Sequence, residues 1–164
     1  MNIPNTDKPR IVVIGGGFAG ISFIRNLKKV NAQVILFDRH NYHTFQPLLY
    51  QVSTAGLEPD SIAYPLRKIF RKHKDFHFRL AEVDAIDPEK KVLKTSIGLL
   101  TFDYLVIATG TRTNFFGNES IKTHSMPMKT VPQALNIRSL MLQNIEKADI
   151  CLLYTSDAAD DLFR

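Results

Sequence analysis

Ile11-Val12-Val13-Ile14-Gly15-Gly16-Gly17-Phe18-Ala19-Gly20 is the stretch on which the fold turns. Four β-branched residues in a row, with no polar alternation, read as a strand buried on both faces, the pattern of a parallel sheet. The glycines that follow form G-x-G-x-x-G where a strand gives way to a helix. Gly15 permits the tight turn. Gly17 lets the backbone approach a pyrophosphate without a Cβ in the way, and Gly20 lets the helix pack close to the sheet. Gly16, Phe18 and Ala19 complete the turn, whose free N–H groups and positive helix-dipole end face the phosphates. The pattern alone is weak. Its place between a buried strand and a helix raises its specificity.

Downstream, Phe18 to Val30 reads as a helix, with Phe23, Leu27 and Val30 at i, i+4 and i+7 and Ile24 beside them. Arg25, Lys28 and Lys29 then face water. Val34 to Phe37 is a second apolar strand, which completes a βαβ unit. Asp38 ends that strand, eighteen residues past Gly20. A carboxylate there accepts hydrogen bonds from a ribose with free hydroxyls and repels a 2′-phosphate. FAD or NAD(H) is therefore expected, and NADP(H) is not.

Arg39 to Pro59 reads as a loop. Asp60-Ser61 offers an N-cap for a helix carrying Ile62, Leu66, Ile69 and Phe70 on one side, with Pro65 in or near its first turn. From Phe76 to Thr109 the period changes to two. Phe76, Phe78 and Leu80 alternate, then Val83 and Ala85, then Lys91 to Thr95 and Leu99 to Phe102, with turns at Asp87-Pro88 and Gly98. This reads as an antiparallel meander inserted before another buried strand, Tyr104 to Ala108. A last helix, Val131 to Ala148, places Ala134, Leu135, Leu142 and Ile145 at helical spacing. The fold class is α/β: a Rossmann-like dinucleotide fold whose parallel sheet carries an inserted β-meander.

Phe102-Asp103-Tyr104-Leu105-Val106-Ile107-Ala108-Thr109-Gly110, an apolar strand ending in Ala-Thr-Gly after a meander, resembles the second fingerprint of glutathione-reductase-type flavoproteins. The loop Asp38-Arg39-His40-Asn41-Tyr42-His43-Thr44-Phe45-Gln46-Pro47-Leu48-Leu49-Tyr50-Gln51-Val52 is similar to that of type II NADH dehydrogenases (NADH:quinone oxidoreductases). So are Ala63 to Arg67 and Gly110 to Gly117. The resemblance runs from about Arg10 to Ala148. It implies an FAD-binding fold in which the glycine turn (Gly15, Gly16, Gly17, Phe18, Ala19, Gly20), Asp38 and Arg39 take the ADP half. Thr44, Gln46 and Pro47 would line the flavin, Val83 would contact adenine through its backbone, and Ala108, Thr109 and Gly110 would pass close to the cofactor. NADH would be the substrate and a membrane quinone the acceptor. The NADH domain, the last parallel strand and the membrane-contacting segment would lie beyond these residues. The fold would then be incomplete, with Tyr104 to Ala108 short of one neighbour. The implied parent is a respiratory enzyme, peripheral on the cytoplasmic face of the inner membrane. The same residues leave open another FAD-dependent pyridine-nucleotide oxidoreductase, or a non-catalytic dinucleotide-binding module.

The 164 residues are 45% hydrophobic and 23% charged, ordinary for a globular domain. No apolar run has the length of a membrane span, and Met1 to Arg10 is too polar for a secretory signal. A reducing, cytoplasmic setting is expected. Cys151 is the single cysteine, which excludes an internal disulfide and a two-cysteine redox centre. His40 and His43 lack the pattern of a metal site and read as structural or flavin-lining. No metal and no catalytic side chain is assigned, since the flavin would carry the chemistry. The net charge of +5 suggests a mildly basic surface. The run Arg67, Lys68, Arg71, Lys72, His73 and Lys74 reads as a solvated helix face, with docking on anionic lipid as the alternative. It lacks the aromatic interleaving expected for single-stranded nucleic acid.

Cys151 to Asp160 matches the in-frame translation of an adapter used in preparing DNA sequencing libraries. Residues 1–150 are therefore read as the N-terminal part of an FAD-binding domain and 151–164 as a non-native tail.

Overall fold

The computed structural model describes residues 1–27 and 29–160, with side chains described as far as Cys151. In chain order the strands are β1 (Arg10–Ile14), β2 (Gln33–Asp38), β3 (Tyr42–Thr44), β4 (Ala63–Pro65), β5 (Phe76–Leu80), β6 (Val83–Asp87), β7 (Val92–Thr95), β8 (Gly98–Thr101) and β9 (Tyr104–Ile107). The α-helices are α1 (Phe18–Asn26), α2 (Leu49–Ser53), α3 (Leu66–Ile69), α4 (Glu119–His124) and α5 (Val131–Asp160). Internal contacts divide the chain into two units, Met1–Thr44 with Ala63–Arg112, and Phe45–Ile62 with Thr113–Arg164.

The first unit is built on a parallel sheet of order β5-β2-β1-β9. Side chains alternate across a strand, so β1 and β2 feed two cores at once. Ile11, Val13, Val34 and Leu36 pack with Ile21 and Ile24 of α1 and with Leu66 and Phe70. Val12, Ile14, Ile35 and Phe37 pack with Leu93, Leu100 and Phe102. Burial on both faces is what the unbroken aliphatic runs demanded. The second face is covered by the antiparallel meander β6-β7-β8.

Several expectations need correction. Phe76 to Leu80 is not part of the meander: it pairs in parallel with β2, Val34 opposite Phe76 and Asp38 opposite Leu80. Its alternation marks an edge strand of the main sheet, where Phe78 is buried and Leu80 exposed. β9 is likewise an edge, paired with β1 alone among the described residues, and Tyr104 and Ile107 are exposed instead of buried. The resemblance had implied one missing neighbour at this strand. An open edge of this kind invites pairing with other chains.

Helix α1 ends at Asn26, short of Val30. The Leu27 N–H turns back to the Ile24 carbonyl at 3.0 Å, and the Val30 N–H to that of Leu27 at 2.9 Å. The buried stripe is therefore Gly20, Ile21 and Ile24, while Val30 is exposed; Lys28 lies outside the described residues. The helix expected from Asp60 is replaced by a 3-10 turn (Pro59–Ser61), strand β4 and the single turn α3. Tyr64 precedes a proline, which disfavours helical backbone there, and pairing of Ala63 to Pro65 with Tyr42 to Thr44 takes the segment instead. The stretch Arg39 to Pro59 is more ordered than a loop, since it holds β3, a 3-10 turn (Gln46–Leu48) and α2.

In the second unit Leu49, Val52, Ile62 and Ala134 form the core. α4 was not anticipated; the Asn118 side chain caps it by accepting from the Ile121 N–H at 3.0 Å. α5 starts with a capping box, in which Gln133 Oε1 accepts from the Thr130 N–H (3.2 Å) and Thr130 Oγ1 from the Gln133 N–H (3.4 Å). It runs to Asp160, beyond the expected end at Ala148. Ala134 and Leu135 pack as expected, whereas Leu142 and Ile145 are exposed. No described helix is long and apolar enough to cross a membrane.

His77, in β5, has its pKa lowered, first by burial and then by Arg79 and Arg10, with Asp75 opposing. As pH falls, the unfolded chain takes up the proton first. The stabilising contribution is complete above the ordinary histidine value of about 6.5 and is lost as pH drops through the lower folded value. We expect His77→Gln to flatten the fall in melting temperature between about pH 7.5 and 5.5. An unchanged pH slope would show that other groups govern it.

Candidate dinucleotide-binding site

The glycine turn sits at the C-terminal ends of the parallel strands, between β1's two neighbours, where chain direction diverges and α/β sheets open a crevice. Backbone bonds hold it from both sides. The Gly15 N–H donates to the Phe37 carbonyl at 2.8 Å, and the Ala108 N–H donates to the Ile14 carbonyl at 2.8 Å. The three motif glycines are then required for different reasons. Gly15 has φ +106°, and a Cβ there would lie 2.3 Å from the Ala108 carbonyl oxygen. A Cβ on Gly20 would lie 2.0 Å from the Gly15 carbonyl oxygen. Both positions are closed by the protein's own backbone. A Cβ on Gly17 would meet nothing within 4 Å. Nothing in the packing of the chain asks for glycine at 17, and the face it presents is open.

Gly17 is also the N-cap of α1, with no side-chain capping bond and no acidic residue in the first turn. The first N–H groups of a helix have no intrahelical acceptor. Here they border the open face of Gly17, with exposed Phe18 and Ala19 beside them. That arrangement fits the phosphates of a dinucleotide.

Asp38 does more than the spacing suggested. Its Oδ2 accepts from the Gly16 N–H at 2.5 Å, and its Oδ1 from the His40 N–H at 2.7 Å. The carboxylate thus ties the glycine turn to the end of β2, with lone pairs left for ribose hydroxyls. Its side chain is 19% exposed, enough to meet a ligand. We expect Asp38→Ala to lower the stability of the ligand-free chain by about 1–3 kcal/mol, since two N–H groups lose a charged acceptor. Asp38→Ala should also weaken dinucleotide binding. Chemical denaturation of both proteins checks the first part, and an unchanged midpoint would count against it.

Arg39 reaches Glu82 at 3.8 Å, an exposed pair of small energetic weight. It brings the end of β2 beside Val83 at the start of β6, and the Ala81 N–H donates to the Asp38 carbonyl at 3.0 Å. Thr44 closes β3, opposite Ala63. Ala108, Thr109 and Gly110 leave the end of β9, Gly110 with φ +69°. The first unit thus gathers the glycine turn, Asp38, Arg39, Val83 and Ala108 at one end of the sheet. Gln46 and Pro47 belong to the second unit, in the 3-10 turn, where Gln46 Nε2 donates to the Lys129 carbonyl at 3.3 Å.

Two neighbours of the turn carry little sequence signal. Leu66 lies beneath Gly16, where a Cβ would come within 2.7 Å of Leu66 Cδ1. His43 Nδ1 sits 3.1 Å from the Gly16 carbonyl, with its ring edge-on to Phe18 at 4.9 Å. His43 therefore braces the turn. His40 Nδ1 lies 3.7 Å from Asp38 Oδ1.

Residues 9–151 match the family described as pyridine nucleotide-disulphide oxidoreductase. The chain is 35% identical over 145 residues to the type II NADH:quinone oxidoreductase NdhA of Mycobacterium tuberculosis, covering 86% of this chain and 31% of that protein. It is 34% identical over 156 residues to the mitochondrial external alternative NAD(P)H-ubiquinone oxidoreductase B2 of Arabidopsis thaliana, covering 88% and 27% respectively. Among solved structures, NDH2 of Plasmodium falciparum in complex with NADH has a TM-score of 0.78 at 26% identity, covering 87% of this chain and 30% of that one. The chain spans under a third of the length of each. With a parallel sheet, a glycine turn at its C-terminal edge and a match over residues 9–151, the chain belongs to the pyridine nucleotide-disulphide oxidoreductase family.

Proposed function

We propose that the chain is the FAD-binding segment of an oxidoreductase that takes a hydride from NADH and passes electrons to a membrane quinone. The open face of Gly17 at the uncapped start of α1 carries this reading, because it is the motif glycine that internal packing leaves unexplained. The quinone-reductase names of the relatives support the choice of substrates. FAD, when bound, supplies the acceptor for the hydride and the donor for the quinone. The chain's own residues bind and orient. The glycine turn and the α1 N–H groups receive the pyrophosphate, Asp38 accepts from ribose, and the Val83 backbone faces adenine. Thr44 and Ala108 to Gly110 flank the remainder of the cofactor. No side chain here is assigned a proton-transfer role. The whole enzyme would act in a respiratory chain, peripheral on the cytoplasmic face of the inner membrane.

The test is reconstitution with FAD followed by NADH. The sequence holds one G-x-G-x-x-G turn, and it is committed to the flavin. The 164-residue chain should therefore show a bound-flavin spectrum but no NADH:quinone turnover above a free-flavin control. Turnover above that control would mean that a nicotinamide site lies within these residues. Absence of flavin uptake would remove the FAD reading itself.

We infer further that the native sequence gives way at Cys151, where the family match also ends. Truncation after Ile150 should change stability by no more than about 0.5 kcal/mol, as for changes outside a packed core. A larger loss, or the codons for Cys151 to Asp160 found at the native locus, would defeat the inference.

A further inference from the structure

We propose that Arg67 to Lys74 is a docking patch for an anionic lipid surface. The chain has 21 basic and 16 acidic residues, an excess of five. Without the tail, residues 1–150 hold 20 basic and 13 acidic residues; Arg67, Lys68, Arg71, Lys72 and Lys74 supply five cations within eight residues that contain no acid, which leaves 15 basic and 13 acidic residues elsewhere. Most of the excess is concentrated in one turn of helix and the turn after it.

The fold fixes the patch outward. Leu66 and Phe70 are buried in the core beneath the sheet, and the five cations around them are exposed. The Arg67 guanidinium lies over the Phe78 ring, 4.6 Å from its centroid, which anchors one end. Five cations elsewhere have acids beside them: Lys8 with Asp75, Arg39 with Glu82, Lys90 with Asp87, Lys122 with Glu119, Arg138 with Glu58. Among the described residues, Lys68, Arg71, Lys72 and Lys74 form no ion pair. Asp75, the acid that follows them, is taken by Lys8, whose hydrogen bond and charge are the main causes of its lowered pKa.

A cluster of this size and density is what negatively charged headgroups attract, and the attraction decays within a Debye length. Single-stranded nucleic acid would ask for exposed aromatic rings among the cations for base stacking, and the aromatic residue within the run, Phe70, is buried. The inference leans on the proposed quinone acceptor, because a bilayer-dissolved quinone requires the protein at a membrane.

The test is flotation of the 164-residue chain with phosphatidylcholine vesicles, with and without about 30% phosphatidylserine, at low and high salt. Binding should need the anionic lipid and vanish in high salt. The variant Lys68→Gln/Arg71→Gln/Lys72→Gln/Lys74→Gln should bind at least about tenfold more weakly. Arg25→Gln/Lys29→Gln/Lys94→Gln/Lys147→Gln removes equal charge elsewhere and should lose less than about threefold, and Arg71→Lys should bind as the parent does. Equal loss in both quadruple variants, equal binding to neutral vesicles, or a preference for single-stranded RNA at matched phosphate would each overturn the proposal. The readout uses no flavin, NADH or quinone. Failure here with FAD uptake intact removes the patch alone, and failure of FAD uptake with vesicle binding intact removes only the flavin reading.

Discussion

Replacing Gly17 with valine should cost this chain about 100-fold or more in FAD affinity while its fold survives. A side chain at position 17 meets no protein atom within 4 Å, and the backbone there has φ −78°, which any residue adopts. The folded state loses only a good N-cap, about 1 kcal/mol. The ligand meets something different. Pyrophosphate oxygens must come within hydrogen-bond distance of the α1 N–H groups, and an isopropyl group would occupy their path. Displacing a diphosphate from several charge-assisted N–H contacts forfeits about 3 kcal/mol, which is the 100-fold. ADP should suffer the same loss, because the obstruction lies on the half of the ligand that both share. A melting curve with FAD fluorescence titration measures the two effects separately. Unchanged affinity would mean that the phosphates do not lie against Gly17.

Gly20→Ala should do the opposite, and its sign is the informative part. Inside an exposed helix this substitution ordinarily stabilises by about 1 kcal/mol, because alanine surrenders less backbone entropy. Here the new Cβ would sit 2.0 Å from the Gly15 carbonyl oxygen and 3.2 Å from its carbon. Neither can swing away as a side chain can. Gly15 is held by its N–H bond to Phe37 and by the approach of Ala108, so relief requires moving α1 off the sheet. Ile21 and Ile24 would be partly withdrawn from the core they share with Val13 and Val34. We expect destabilisation of about 3–4 kcal/mol, a large share of a small domain's total. Urea denaturation measures it. A neutral or stabilised variant would show that helix and strand pack less tightly than the structure has them.

The contrast between these two glycines also marks how far local sequence pattern reaches. The G-x-G-x-x-G turn, β1, β2 and Asp38 are specified by neighbours within about thirty residues, so local pattern suffices for them. It fails where the partner is distant. Ile62, Leu66, Ile69 and Phe70 have helical spacing, yet Ile62 packs with Leu49, Val52 and Ala134 while Leu66 and Phe70 pack under the parallel sheet. What separates them is β4, and β4 exists because Tyr42 to Thr44 pairs with it. Phe76 to Leu80 alternates as either a meander strand or a sheet edge would; its pairing with β2 decides, and no residue within it says so. At the site, the roles of Gly15 and Gly20 are legible in the sequence as turn and packing glycines. The second task of Asp38, holding the Gly16 N–H, and the support of that residue by Leu66 depend on tertiary placement alone. The capping box Thr130-Val131-Pro132-Gln133 is present in the sequence and marks the start of α5.

If the glycine turn holds FAD, isothermal titration of the chain with FAD and with NAD will show it. With the ADP half retained by the turn, α1 and Asp38, FAD should bind with Kd in the micromolar range, about −8 kcal/mol, with ADP as an effective competitor. NAD shares the ADP half, so the difference falls to the flavin half: its contacts with Thr44 and Ala108 to Gly110 should leave NAD at least about tenfold weaker, a gap of about 1.4 kcal/mol. NAD binding as tight as FAD or tighter would mean that the turn is not a flavin site.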